Sequence, residues 1–156
     1  MKIVIYSLFL MTTIVQVSKT KLIVGLTEEE KECVKQLGED ENRIQNLYFG
    51  YASPENDAQF NRFVECVWKK LGFITENGDI NYENLKNSYQ ITGKLGIDDP
   101  VLSAHADKFV FQAVSKCESN PDSLKADSTA QMAVKIQNCI SKNFNEAARL
   151  LYSPTK

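Results

Sequence analysis

Apolar residues recur along this chain at three- and four-residue intervals, the period of a helix with one buried side. No stretch alternates β-branched and polar residues for long enough to suggest an appreciable sheet. The first periodic segment opens at Leu26-Thr27-Glu28-Glu29-Glu30, where Thr27 stands as N-cap and Glu30, three residues on, completes a capping box. That helix is predicted to run to Leu37, where Gly38 stops it. A second is predicted over residues 40–50, with Ile44, Leu47 and Tyr48 on one side, before the turn-forming Ser53-Pro54-Glu55-Asn56-Asp57.

Residues 57–71 give the clearest amphipathic helix. Phe60, Val64, Val67, Trp68 and Leu71 keep helical spacing, with Phe63 and Cys66 beside the stripe. Gly72 ends it, and Thr75-Glu76-Asn77-Gly78-Asp79 makes a tight turn before a fourth helix over residues 82–91, where Leu85 and Tyr89 lie four apart. Gly93 and Gly96 break that helix, and Asp98-Asp99-Pro100 starts the next with an acidic cap and a proline at the first helical position. Its face continues through Leu102, Ala106, Phe109, Val110, Ala113, Val114 and Cys117, which makes it the longest expected helix. The loop 118–122 closes it. Asp127 or Ser128 then caps a sixth helix carrying Met132, Ile136, Cys139 and Ile140, and residues 144–152 form an apolar tail.

The N-terminus sets the compartment. Lys2 is followed by an unbroken apolar run and then by polar residues with small side chains at Ser18 and Thr20, the layout of a secretory signal peptide over residues 1–20. A membrane anchor is the competing reading, and no basic stop-transfer cluster follows to support it. Removing residues 1–20 takes out Lys2 and Lys19 and no acid, leaving 16 basic against 20 acidic residues in residues 21–156. No basic stripe remains, which argues against nucleic acid and anionic membranes as partners. A length near that of one domain, 43% hydrophobic residues and the absence of repeats or linkers read as one all-α domain. Its core is rich in aromatics, with 8 Phe and 6 Tyr in the chain, and composition alone leaves open whether that core closes or keeps a cavity.

Four cysteines in a secreted chain, Cys33, Cys66, Cys117 and Cys139, are expected to form two disulfides, and spacing alone cannot choose among the three pairings. A metal site has little support, with no Cys-x-x-Cys pair and a single histidine. Residues 75–80 look like the middle of an EF-hand loop, but placing Gly78 in the glycine position puts Phe73 first and Asn84 last, where acids are needed. His105, between Leu102 and Phe109, reads as a core histidine with one good hydrogen bond, the alternative being a protonation switch. A catalytic triad would depend on that one histidine, and no Gly-x-Ser-x-Gly elbow occurs, so no enzyme activity is expected.

Three passages carry a resemblance. They are Cys33-Val34-Lys35-Gln36-Leu37-Gly38, then Cys66-Val67-Trp68-Lys69-Lys70-Leu71-Gly72-Phe73 with the turn Asn77-Gly78-Asp79-Ile80, and last Cys117 and Cys139 with a short loop between them. With these, the mature chain resembles the insect odorant-binding and pheromone-binding proteins, in their minus-cysteine, four-cysteine form. The usual six cysteines pair first to third, second to fifth and fourth to sixth. Here the second and fifth positions hold Arg62 and Ala130. Since those two are partners, the resemblance implies the pairs Cys33–Cys66 and Cys117–Cys139, each closing a loop of roughly 20 to 35 residues and contributing about 3–4 kcal/mol. It also implies that loss of the third bridge frees the third and sixth helices to move apart.

The fold implied is a compact bundle of six to seven helices around an apolar cavity. The function implied is that of a secreted, extracellular carrier, without cofactor or metal, that takes up one small hydrophobic molecule and has a chemosensory receptor as a further partner. Wall residues would come from the third helix and the turn after it (Phe60, Val64, Val67, Leu71, Phe73), from Tyr89, from the fifth helix (Phe109, Val110) and from the sixth (Met132, Ile136). Phe144, Leu150, Leu151 and Tyr152 would fold back as a lid. Two other readings are a salivary or haemolymph relative that sequesters a small mediator, marked by an acid in the cavity, and a helical signalling or inhibitor protein acting through its surface.

Overall fold

In the computed structural model, each α-helix among the described residues opens on a side chain that caps it. The model describes residues 25–50, 52–88, 97 and 99–153. Six α-helices lie among them: α1 (Glu28–Leu37), α2 (Glu41–Tyr48), α3 (Ala58–Lys70), α4 (Tyr82–Lys86), α5 (Pro100–Glu118) and α6 (Thr129–Leu151). The expected signal segment, the end of the helix predicted over 82–91, and Tyr89 fall outside the described residues.

The caps follow the sequence. Thr27 Oγ1 accepts the Glu30 amide at 3.4 Å while Glu30 Oε2 accepts the Thr27 amide at 2.8 Å, closing the box on α1. Gly38 ends α1 at φ 67°, a left-handed conformation open to glycine without steric penalty. Asp40, Asp57 and Asn81 cap α2, α3 and α4. Asp99 Oδ1 accepts the amides of Val101 and Leu102, both at 2.8 Å, and Ser128 caps α6.

Two features differ from the sequence reading. The tail 144–152 is no separate segment: α6 runs 23 residues to Leu151 and exceeds the 19 residues of α5. No glycine or proline interrupts residues 129–151, so nothing stops the helix. The loop after α5 holds a 3₁₀ turn, Pro121–Leu124, with its proline at the start. The turn at 75–79 forms as a plain turn, closed by the bridge of Ile74 to Ile80 and by a Gly78 amide bond to Thr75 O at 3.0 Å.

Helix α3 is central. It packs on α1, α2 and α6, while α6 also lies along α5 and α5 receives α4. Phe60, Phe63, Val64 and Val67 are therefore all fully buried, on more than one stripe of the same helix. Tyr48 of α2 meets Phe63 edge-on at 5.3 Å, and Phe60 and Phe63 lie 6.0 Å apart. Burial of each such ring contributes about 1.5–3 kcal/mol. Both disulfides form in the pairing that the family resemblance implied: Cys33–Cys66 staples α1 to α3, and Cys117–Cys139 staples α5 to α6.

Candidate functional site

Most of the predicted wall residues come together. Phe60, Val64, Val67, Phe73, Val110, Ile136 and Phe144 belong to a single buried cluster, and Leu71, Phe109 and Met132 are half-buried against it. Three elements position them: α3 and α5 each supply one side of the cluster, and α6 packs on both. Phe73 leaves α3 through the Gly72 turn and meets Trp68 edge-on at 5.8 Å. Phe109 meets Phe144 in the same manner at 6.2 Å, which locks α5 to the second half of α6.

The last residues behave differently. Leu151 is half-buried, Leu150 and Tyr152 are exposed at 63% and 54%, and only Phe144 of the expected lid enters the core. Tyr152 instead donates its hydroxyl to Asp99 Oδ1 at 2.6 Å, joining the end of α6 to the cap of α5. That bond is the largest cause holding the Asp99 carboxyl below its ordinary pKa, with the amides of Leu102 and Val101 acting in the same direction.

His105 is not a core residue. It is exposed and stacks on Phe109 at 5.8 Å, because Ala106 takes the inward position and the ring one residue earlier falls at the rim. Among the core residues that the wall assignment missed is Phe63. Its signal was present, a phenylalanine three residues after Phe60 and beside the apolar stripe, but the wall assignment kept to the stripe itself.

Polar groups lie mostly outside the cluster. Buried Glu30 is engaged in the α1 capping box. Two carboxylates, Glu118 and then Glu83, hydrogen bond to the Lys86 ammonium and raise its pKa above the ordinary value. An open groove of about 340 Å³ lies between α1 and α3, lined by Gln36, Leu37, Arg62, Glu65, Cys66, Lys69 and Lys70. Its charges pair off as Arg62 with Glu39, Lys69 with Glu65 and Lys70 with Glu32. Arg62 points outward here, whereas Ala130 is buried. Among the described residues no His, Cys, Asp and Glu cluster is arranged to hold a metal ion, and no helix is long and apolar enough to cross a membrane.

An aromatic-rich helical core stapled by two disulfides defines a small, disulfide-bonded all-α domain. The chain belongs to the PBP/GOBP family, the insect odorant- and pheromone-binding proteins, whose family model matches residues 19–143. That family consists of secreted, soluble carriers of small hydrophobic ligands and is not an enzyme family. Neither a curated protein nor a solved structure is a significant match to the chain.

Proposed function

We propose that this protein is a secreted carrier that encloses one odorant, pheromone or other lipophile between α3, α5 and α6 and moves it through aqueous fluid, with a chemosensory receptor as a downstream partner. Residues 1–20 act as the signal peptide and residues 21–156 as the carrier domain. The observation that supports this most is the convergence of ten wall residues from α3, its following turn, α5 and α6 on one apolar cluster, in a chain of a carrier family. A ten-carbon guest hides about 300 Å² of apolar surface, a gross gain of roughly 7–8 kcal/mol. Ordering of both partners offsets part of that, so burial of the guest's own surface alone gives an affinity weaker than micromolar.

No observation favours the competing readings. The buried acid that a mediator-sequestering relative would present to its guest is here Glu30, held in a helix cap. The exposed large apolar side chains, Phe49, Val101, Phe111, Leu150 and Tyr152, are spread over the end of α2, α5 and the end of α6.

Titration of the secreted protein with N-phenyl-1-naphthylamine tests the proposal. Expected are a blue-shifted, saturable emission at one probe per chain, and displacement by long-chain alcohols. Filling the wall with Val64→Trp or Ile136→Trp should weaken the probe at least tenfold while helicity is kept. Linear, unsaturable emission that both variants leave unchanged would count against the carrier reading.

A further inference from the structure

The disulfides divide the molecule along a seam. One joins α1 to α3 and the other α5 to α6, and all four cysteines are used. Helices α3 and α6 pack directly on one another, yet neither disulfide crosses between them.

A row of hydrogen bonds crosses that seam from the connector between α2 and α3. Asn138 of α6 makes three of them. Its Oδ1 accepts the Ser53 amide at 2.9 Å, and its Nδ2 donates to Ser53 O at 2.9 Å and to Glu55 Oε1 at 3.1 Å. The side-chain amide thus pairs with the Ser53 backbone at two points, as a neighbouring strand would. Gln137 Nε2 adds a bond to Ser53 Oγ at 2.8 Å, and about two α6 turns earlier Gln131 Nε2 reaches Asn56 Oδ1 at 3.3 Å. On the other flank Asn61 of α3 donates from Nδ2 to Glu55 O at 2.9 Å. The connector is therefore gripped from both sides of the seam, and Ser53 is buried at 7% exposure.

This arrangement carries a physical consequence. The buried Ser53 N–H and C=O have their partner in one side chain, so losing Asn138 leaves two backbone groups unpaired away from water. The connector must then open to let water in. A second polar tie from the first half to α5, Lys86 to Glu118 at 2.9 Å, has its carboxylate 41% exposed and is screened by solvent.

We infer that Asn138 is the latch of the α3–α6 seam, a positioning residue that holds residues 53–56 closed and that, unlike a disulfide, can release reversibly. Its link to guest exchange rests on the carrier reading above; the latch itself does not.

Native-state hydrogen exchange on the mature, oxidised protein tests the latch. Asn138→Ala should speed exchange of the Ser53 amide by roughly ten- to hundredfold, well beyond any change at Ile136 in the middle of α6. Ser53→Ala keeps both backbone bonds to Asn138 and should change that rate by less than about threefold. Should Asn138→Ala fail to fold, Asn138→Asp supplies the same test: a carboxylate facing Glu55 should open the connector, and adding Glu55→Gln should close it again in part. Unchanged Ser53 exchange in the Asn138 variants, or an equal rise in Ser53→Ala, overturns the latch. Off-rates of N-phenyl-1-naphthylamine should rise several-fold in Asn138→Ala. A faster Ser53 amide with an unaltered probe off-rate would remove the latch from the guest's path, and a protein that binds no probe at all would fail the carrier reading instead.

Discussion

Replacing Phe144 by alanine separates a packed helix from a loose C-terminal lid. Phe144 is 2% exposed on α6 and meets Phe109 edge-on at 6.2 Å. Truncating a buried phenylalanine costs about 3–5 kcal/mol from lost transfer energy and the cavity left behind, of which the edge-to-face contact accounts for roughly 0.5–1.5 kcal/mol. Relaxation is limited here, because Cys139, five residues upstream, is bonded to Cys117 and fixes the approach of α6 to α5. In a domain of this size the loss corresponds to a melting temperature lower by roughly 10–15 °C. Trp68, the single tryptophan and 5% exposed, reports unfolding in guanidinium chloride by its fluorescence. The control is Leu150→Ala, at 63% exposure, expected within about 0.5 kcal/mol of the parent. If Phe144→Ala were as mild as Leu150→Ala, the second half of α6 would not be packed as described, and the contact of Phe109 with Phe144 would be lost with it.

Further outcomes follow from the caps and staples. Removing Cys33 and Cys66 together as alanines should cost about 3.7 kcal/mol, and removing Cys117 and Cys139 about 3.4 kcal/mol, by loop-closure entropy at separations of 33 and 22 residues, measured by chemical denaturation. Gly38→Ala should destabilise by about 1 kcal/mol from the φ of 67° alone, since no atom lies within 4 Å of the added methyl, and a larger loss in thermal melts would indicate an unseen clash. Because the folded Asp99 carboxyl has a depressed pKa, its contacts to Tyr152 and the α5 amides are fully present above the unfolded carboxyl value and are lost only as pH falls through the lower folded value. The end of α6 should therefore stay tied to α5 between pH 7 and 5. Tyr152→Phe should move the Asp99 titration, followed by NMR, up toward the ordinary aspartate value, and an unmoved titration would dismiss the bond.

The sequence carried the helices well because their ends are chemically marked. Thr27 and Asp99 cap the helices they were expected to cap, Ser128 is the cap of the two residues offered for α6, Asp40 and Asp57 cap at the predicted starts of α2 and α3, and Gly38 stops α1. Local signals of this kind need no tertiary information. The wall residues were legible as a stripe with Phe63 beside it, but the complete burial of Phe63 was not, since it depends on α3 being enclosed by α1, α2 and α6. Reading residues 144–152 as a separate tail ignored a usable signal, an α6 free of helix breakers. His105 missed the core by one helical position, and no periodicity fixes the edge of a buried face that closely. The disulfide pairing came through family resemblance, as four cysteines allow three arrangements. Asn138 could not have been singled out from sequence. Its partner Ser53 lies 85 residues away, and an asparagine in a helix gives no hint of which backbone it will meet.

The most direct test of the carrier account is native mass spectrometry of the protein as secreted from cells. The account predicts a chain that begins after Thr20, lighter by four hydrogens for two disulfides, that retains one small apolar molecule or takes up one equivalent of decanol after stripping. A correctly oxidised chain that emerges empty, and that binds no added alcohol at any stoichiometry, would contradict it.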